Sequence, residues 1–187
     1  YELMPSLVGS EMCIRDRNLL VSHPKLWDLD FPYRYTVETI IKKGGKTIDK
    51  YLTPFGIRSV KFDKDKGFFL NNKHLKLKGM CLHQDAGCLG TAVPDRAYER
   101  RLLILKEFGT NAIRCSHNPP SPEFLNYCDS IGFLVIDEAF DKWKSGYYEE
   151  FFDSSWQQDI SDMVIRDRNH PSVILWSIGN ELSLIHI

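Results

Sequence analysis

The sequence lacks the features that mark several common protein classes. Its 24 Lys and Arg residues stand against 25 Asp and Glu residues, so it has no basic excess with which to neutralise phosphates. It also has no uncharged apolar run of the length that a bilayer span requires. The sequence therefore favours neither a nucleic-acid partner nor a membrane partner.

Cysteine spacing is equally uninformative about disulfides and metals. The 5 cysteines are an odd number, and none of them has Cys-x-x-Cys spacing. This pattern indicates neither a disulfide framework nor a zinc site, and it leaves a cytoplasmic, periplasmic or secreted location open. We predict that Cys81, Cys88, Cys115 and Cys128 are small buried residues.

Aromatic residues, in contrast, are plentiful. The chain has 11 Phe, 8 Tyr and 4 Trp residues, which together make up 12% of its length. That supply is sufficient for a packed core and argues against intrinsic disorder.

The two ends of the chain have a codon pattern that is unrelated to protein structure. Residues 12–17 can be encoded by ATG TGT ATA AGA GAC AGx, and residues 182–187 by CTG TCT CTT ATA CAC ATC, which is nearly the reverse complement. This DNA resembles the transposon end used to fragment sequencing libraries. We therefore predict that residues 1–17 and 182–187 are translated adaptor and that natural sequence covers residues 18–181, cut at both ends.

Residues 18–66 have the pattern of antiparallel β-strands. Two β-rich runs, 33–41 and 47–52, flank a Gly-Gly turn at 44–45, which predicts a hairpin. A third run, 57–62, alternates apolar and polar residues, as expected of a strand with one solvated face. We predict that these runs are the last strands of a β-sandwich.

Residues 67–181 alternate strand, loop and helix. Four strands and three helices are what half of a (β/α)8 barrel requires, since a whole barrel takes about 250 residues. A doubly wound α/β sheet is the alternative, but no Gly-x-Gly-x-x-Gly motif follows the first strand. The predicted strands are 75–80, 111–115, 133–137 and 173–178. The first helix begins at Pro94-Asp95, and the second begins at Pro122 after the N-cap residue Ser121. The third helix has four apolar residues at helical spacing: Trp156, Ile160, Met163 and Val164.

Polar residues follow each of the four predicted strands. The C-terminal strand ends of a barrel carry its chemistry, and core packing gives no reason for a strand to end in Asn-Glu. Each residue alone has an ordinary structural explanation, such as helix capping, but the arrangement recurs at all four strands. The residues are His83 and Asp85, then Arg114 and His117, then Asp137, Glu138 and Asp141, and finally Asn180 and Glu181.

A second polar run, at residues 166–171, precedes the fourth predicted strand. Its position places it at the opposite end of the barrel, where residues serve stability. We predict that its charges are solvated or salt-bridged and that His170 makes a local hydrogen bond.

Four ordered motifs resemble those of glycoside hydrolase family 2, the family of β-galactosidases, β-glucuronidases and β-mannosidases. The resemblance covers nearly all of residues 18–181 and implies a retaining enzyme that acts on β-linked sugars. It also implies an immunoglobulin-like β-sandwich ending at residue 66 and the first half of a catalytic (β/α)8 TIM barrel at 67–181. The motifs are residues 111–120, 135–139, 166–174 and 176–181, and segments 24–27 and 55–58 resemble the end of the sandwich.

The resemblance implies a role for individual residues. Glu181 matches the general acid/base, and Asn180 matches the residue that hydrogen-bonds the sugar 2-hydroxyl. A retaining mechanism needs a second carboxylate about 5–5.5 Å away as nucleophile, and in this family it follows the seventh strand, beyond this chain. We therefore expect the chain alone to be inactive. The other matched positions are His83 and Asp85 in the sugar subsite, His117 as a substrate-binding histidine and Arg114 near the nucleophile.

Two departures from the family pattern bear on the site. Cys81 stands where the first-strand motif commonly has Asn, which removes one hydrogen-bonding group. Some β-galactosidases of the family have a Glu-x-His pair after the third strand that binds magnesium, whereas this sequence has Lys142 and Lys144 there. We therefore predict no metal and no other cofactor.

The substrate class remains divided among the family's activities. The sequence of residues 82–87 resembles that of β-galactosidases more than that of the alternatives, β-glucuronidases and β-mannosidases. A non-catalytic carbohydrate-binding protein and an unrelated metal-dependent barrel are alternatives from other classes. The acid after the fourth strand argues against the first of these, and the missing metal-ligand spacing argues against the second. The expected partner is a carbohydrate substrate, and a homo-oligomeric state of the full-length parent stays open.

Overall fold

The computed structural model describes residues 18–182. The predicted adaptor segments lie outside the described residues, apart from Leu182. No helix in this range is long and apolar enough to cross a membrane. Within it the elements are β1 (Tyr35–Lys43), β2 (Lys46–Phe55), β3 (Val60–Asp63), β4 (Gly67–Leu70), β5 (Lys73–His74), β6 (Gly79–His83), α1 (Asp95–Glu107), β7 (Ala112–Ser116), α2 (Pro122–Ile131), β8 (Leu134–Glu138), α3 (Glu149–Asp167) and β9 (Val173–Ser177).

The predicted hairpin is present as the antiparallel pair β1 and β2. Gly44 and Gly45 form its turn with φ values of +57° and +78°, which glycine adopts without steric cost. Tyr35 pairs with Phe55, and the two rings stack with centroids 5.6 Å apart. None of the hairpin side chains is buried, because the described part of the chain provides no further strand beside it.

The third predicted strand is shorter than its pattern and belongs to a different sheet. β3 pairs antiparallel with β4, and β4 pairs with β5, so the hairpin of β1 and β2 stands apart. The predicted boundary between residues 66 and 67 falls in the turn between β3 and β4. A hydrogen-bonded hairpin is a single unit, so this pairing favours a boundary before Val60, and the domain division stays a prediction.

The strands β6, β7, β8 and β9 form a parallel sheet in chain order, and α1, α2 and α3 connect them. Parallel neighbours joined by helical crossovers in sequence order are the repeating unit of a (β/α)8 barrel. The predicted α/β fold, with half of a barrel after the β-strands of the N-terminal part, is therefore confirmed.

The first barrel strand begins later than predicted, at Gly79 instead of residue 75. Residues 75–78 alternate in polarity because Leu75 and Leu77 pack beneath the sheet, against the cluster that contains Trp27. The backbone N–H of Lys78 donates to Oδ1 of Asn111 at 2.7 Å. The alternation therefore reflects one buried face of an extended segment outside the sheet.

The main core lies between the sheet and its helices. Tyr98 and Leu102 of α1 are buried in this core. The predicted cap of α2 is confirmed, because Ser121 Oγ accepts a hydrogen bond from the N–H of Phe124 at 3.3 Å. The buried members of this core are Tyr98, Leu102, Ile113, Cys115, Phe124, Leu125, Cys128, Phe133, Val135 and Val173.

Two further sequence predictions need correction. Cys115 and Cys128 are buried as predicted, but Cys81 and Cys88 are exposed, because β6 is an edge strand and Cys88 lies in the loop that follows it. On α3, Met163 is buried, whereas Trp156 remains 37% exposed and stacks on its neighbour Phe152.

Segments that precede the barrel close the N-terminal end of its sheet. Trp27 is fully buried, and its indole N–H donates to the carbonyl of Asp129 at 2.8 Å. Arg58 donates to the carbonyl of Val173 at 2.5 Å and also to that of Pro171. A Cβ on Gly56 would lie 2.7 Å from Cβ of Pro171, so only glycine permits this approach.

The run at residues 166–171 makes contacts of the predicted kinds. His170 Nδ1 lies 2.6 Å from Oδ2 of Asp129, which confirms its local hydrogen bond, and Arg166 forms a salt bridge with Asp167. Asp167 is completely buried, so of the two predicted arrangements it is the salt bridge, and not solvation, that satisfies its charge.

Candidate active site

The inner face of the sheet carries the polar side chains. Ile113, Cys115 and Val135 point into the helix-packed core, so the alternate residues of β7 and β8 point to the other face. Arg114 pairs with Ile136 in this register, and Glu138 follows two residues later on the same face. The strands thereby bring Arg114 and Glu138 together near their carboxyl ends.

Glu138 is the centre of the polar cluster. It is completely buried, and its Oε2 accepts from Arg114 Nε at 2.9 Å and from Ser177 Oγ at 2.7 Å. Its Oε1 accepts from Arg114 Nη2 at 3.1 Å and lies 2.6 Å from His117 Nδ1. The Glu138 hydrogen bond raises the pKa of Arg114. A buried carboxylate with this many hydrogen-bond donors around it fixes the orientation of its neighbours.

Asn180 is held by two side chains in a defined orientation. Its Oδ1 accepts from Arg114 Nη2 at 3.0 Å, and its Nδ2 donates to Asp141 Oδ1 at 2.9 Å. These partners fix which end of the amide is which. The hydrogen bond from Asn180, followed by that from Lys142, lowers the pKa of Asp141. Within residues 18–182 the second amide hydrogen of Asn180 makes no hydrogen bond and is left for a ligand.

Glu181 lies next to Asn180 with a φ of +53° and a side chain that is 49% exposed. Its Oε2 is 3.1 Å from Lys142 Nζ, which is also 3.2 Å from Asp141 Oδ2. The hydrogen bond with Glu181 and, secondly, that with Asp141 raise the pKa of Lys142. Trp143 Nε1 donates to the carbonyl of Ile178 at 2.9 Å, which attaches the loop after β8 to the segment after β9.

The structure brings together five of the six predicted site residues. Arg114, His117 and Asn180 are joined through Glu138 and Arg114, while Glu181 is connected through Lys142 and Asp141. His83 is exposed, and its ring meets that of His117 edge to face with centroids 5.3 Å apart. Asp85 is the exception, since its carboxylate has no hydrogen bond or ion pair within residues 18–182 and only its backbone is held, by Arg101.

Glu138 and Lys142 are the residues whose roles the sequence did not reveal. The sequence places Glu138 among the strand-end residues without indicating its function, although a Glu two residues after an inward Ile136 is expected on the inner face. At Lys142 the sequence indicates only a departure from a metal ligand, because the contact of Lys142 with Glu181 joins segments far apart in sequence.

A cleft of about 680 Å³ opens beside His117, between the loop after β8 and α3. Its volume is within the range of about 300–1,000 Å³ that is usual for small-ligand sites. Within residues 18–182, no group of three or more His, Cys, Asp or Glu side chains is placed to hold a metal ion. The polar and aromatic residues that line the cleft include His117, Asn118, Asp141, Lys142, Tyr147 and Tyr148.

Comparison with protein families gives two matches. Residues 60–185 match the family model described as glycosyl hydrolases family 2, TIM barrel domain, and residues 6–58 match that described as glycosyl hydrolases family 2. The division between the two lies before β3, as the hairpin of β3 and β4 suggests.

Comparison with known proteins gives relatives of two activities. The chain is 51% identical over 170 residues to the β-galactosidase BoGH2A of Bacteroides ovatus and 34% identical over 171 residues to a β-glucuronidase of Bacteroides fragilis. These matches cover 89% and 88% of the chain but only 20% and 25% of the relatives. The chain thus spans a fifth to a quarter of the length of these proteins.

Solved structures give the same picture. A glycosyl hydrolase family 2 member from Bacteroides cellulosilyticus is similar, with a TM-score of 0.82 and 52% identity over 85% of this chain and 21% of that structure. The Parabacteroides merdae β-glucuronidase matches with a TM-score of 0.78 and 31% identity over 89% of this chain and 21% of that structure.

Proposed function

The chain belongs to glycosyl hydrolase family 2, and from this premise we propose that the full-length protein is a retaining β-glycosidase with Glu181 as its general acid/base. The observation that carries the proposal is the placement of Glu181 directly after Asn180, whose amide is fixed by Arg114 and Asp141. A site in which a carboxyl group follows a rigidly held amide can protonate a leaving oxygen while a sugar hydroxyl is bound beside it.

The proposed reaction has two steps. In the first, a second carboxylate from outside this chain attacks the anomeric carbon, the glycosidic bond breaks, and Glu181 gives its proton to the leaving oxygen. In the second, ionised Glu181 takes a proton from water, which attacks the anomeric carbon and releases the sugar and the enzyme carboxylate. Lys142 Nζ lies 3.1 Å from the Glu181 carboxyl and faces its negative charge between the two steps.

The neighbouring side chains bind the substrate in this proposal. The free amide hydrogen of Asn180 is available to the sugar 2-hydroxyl, and the rings of His83 and His117 border the same space. The cleft beside His117 has room for the leaving group. Asp85 reaches a sugar only if its loop moves closer to the cluster.

We propose a β-galactoside as the substrate. Supporting this, the relative with 51% identity carries the name β-galactosidase. A β-glucuronide is the second candidate, because a relative that is 44% identical over 167 residues carries the name putative β-glucuronidase. Specific activities of the full-length protein on matched aryl β-galactosides and β-glucuronides distinguish the two, and faster turnover of the glucuronide would reverse the assignment.

The variant Glu181→Gln tests the acid/base role in the full-length protein. We expect kcat/KM on a natural disaccharide to fall by about 10²- to 10⁴-fold, because its poor leaving group needs a proton. An aryl glycoside with a good leaving group should lose far less. Glu150→Gln, an exposed change on α3, is the matched control and should leave both values unchanged. Equal loss on the two substrates would show that Glu181 is not the general acid.

A further inference from the structure

Two buried carboxyl groups meet on the outer face of the sheet, away from the polar cluster around Glu138. Asp137 at the end of β8 and Asp167 at the end of α3 are both completely buried. Asp167 is satisfied, because Arg166 Nε and Nη2 donate to its two oxygens at 2.7 and 2.6 Å. Within residues 18–182 no hydrogen bond of normal geometry reaches either Asp137 carboxyl oxygen. The groups near these oxygens are the Asp167 carboxyl and, with a smaller influence, the backbone N–H of Glu138.

The surrounding charges do not compensate a second negative charge. Arg166 is the cation that faces the pair, and it is already engaged by Asp167 and the Pro120 carbonyl. From β7 the pair is faced by Cys115, whose thiol pKa is raised well above its usual value by burial, so this thiol stays neutral. The charge of Glu138, on the inner face of β8, acts on the Cys115 thiol through the sheet, and the charge of Glu123 of α2 acts on Arg166. Two ionised carboxylates would therefore stand in a dry site beside one guanidinium.

We propose that Asp137 is protonated in the folded protein and donates a hydrogen bond to Asp167, so that the two side chains form a carboxyl pair with one proton. The pair then carries one negative charge, which Arg166 balances. The shared proton joins the end of β8 to the end of α3. It lies behind Glu138, the next residue, and so supports the strand end that positions Arg114 and His117.

The pKa of Asp137 agrees with this geometry. Burial, followed by the charge of Asp167, raises it to about 8. In the unfolded chain an aspartate ionises near pH 3.9. Between these two values the folded state holds a proton that the unfolded state has lost, so stability falls as pH rises from about 4 to about 8 and levels off above. Each pH unit in this window raises the unfolding equilibrium constant about tenfold through this one group.

The variant Asp137→Asn tests the shared proton in the full-length protein. Asparagine has the shape of a protonated aspartate and supplies a permanent N–H donor for Asp167. We expect the stability of the variant relative to the unaltered protein to improve about tenfold per pH unit between about pH 5 and pH 8, measured as unfolding midpoints across that range. In infrared difference spectra, the carbonyl stretch of a protonated carboxylic acid should be present in the unaltered protein at pH 7 and absent from the variant.

The matched control is Asp129→Asn. Asp129 is equally buried, but it accepts from the N–H of Ser172 at 3.0 Å and from His170 at 2.6 Å. A carboxyl group that accepts from two donors cannot be replaced by an amide without loss, because the amide NH2 would face one of those donors, so this variant should be destabilised across the whole range. If Asp137→Asn behaved in the same way, with no lost carboxylic-acid band, Asp137 would be ionised and the proposal would be wrong. Neither readout depends on glycosidase activity, so this outcome is separate from the fate of Glu181.

Discussion

The two ends of the parallel sheet both contain polar side chains, but these side chains have different partners. At the N-terminal end they bond mostly to backbone: Trp27 to the Asp129 carbonyl, Arg58 to the Pro171 and Val173 carbonyls, and Asp129 to the Ser172 N–H. At the C-terminal end they bond to one another, as in the contacts of Glu138 with Arg114 and His117 and of Asn180 with Asp141.

The difference separates stability from chemistry. A side chain that bonds to the backbone of another segment fixes how the two segments pack. A network of side chains at an open strand end keeps individual groups, such as the Glu181 carboxyl and one amide hydrogen of Asn180, directed at solvent. We therefore expect substitutions at the first end to change unfolding and substitutions at the second to change turnover.

The largest expected effect is that of Trp27→Ala at the N-terminal end. Trp27 is fully buried among Phe68, Leu70 and Leu134, so its removal leaves a large cavity and should cost about 3–5 kcal/mol of unfolding free energy. Denaturant unfolding of the full-length protein measures this cost, while kcat of the folded fraction should stay within about twofold of normal.

Trp156→Ala is the control for that experiment. Trp156 is 37% exposed on α3, and its loss should cost much less than that of Trp27. A Trp27→Ala variant with normal stability and reduced kcat would contradict the assignment of stability to the N-terminal end and of turnover to the C-terminal end.

The next effect in size is that of Asn180→Ala at the C-terminal end. Its hydrogen bond to the sugar strengthens in the transition state, so kcat/KM should fall by about 10- to 100-fold, which is about 1.4–2.7 kcal/mol. The unfolding free energy should change by less than about 1 kcal/mol, because Asn180 lies near the surface.

Asn169→Ala provides the matched control. Asn169 is an exposed asparagine that lies before β9, whereas Asn180 lies after β9. It should alter neither quantity. Equal kinetic losses in the two variants would show that the position of an asparagine relative to the sheet has no bearing on its role.

How far the sequence predicts each end depends on whether the signal is local. The hairpin turn at Gly44 and Gly45, the Ser121 cap and the Asn-Glu pair after β9 are encoded by neighbouring residues, and all three were predicted. The start of β6 was misplaced because alternating polarity marks any extended segment with one buried face, as at Leu75 and Leu77. Whether such a segment joins the sheet depends on its hydrogen-bond pairing with a neighbouring strand, which the polarity pattern does not record.

Contacts between side chains that are far apart in the chain could not be predicted from the sequence. The bond of Glu138 with Arg114 and that of Lys142 with Glu181 link different βα units, so no motif records them. The sequence left open whether the charges at residues 166–171 are solvated or salt-bridged, and only the placement of α3 against β8 shows that Asp167 is buried. The family resemblance supplied roles for residues that match its motifs and none for Lys142, which departs from them.

The smallest expected effect, and the sharpest question about the C-terminal end, concerns metal. Lys142 Nζ lies 3.2 Å from Asp141 Oδ2 and 3.1 Å from Glu181 Oε2, so its ammonium group occupies the space between the two carboxylates in which a divalent cation would otherwise bind. An ammonium group raised in pKa by these two neighbours remains charged through the neutral range. We therefore expect prolonged chelator treatment of the full-length protein to leave kcat within about twofold, since a hard cation needs several oxygen ligands that a lysine cannot supply.

Lys142→Glu is the informative partner variant, because it exchanges the ammonium for a carboxylate next to Asp141 and Glu181 and should make activity responsive to added magnesium. A chelator-sensitive protein that regains activity with magnesium would show instead that a metal completes this end of the sheet, with ligands from beyond residues 18–182.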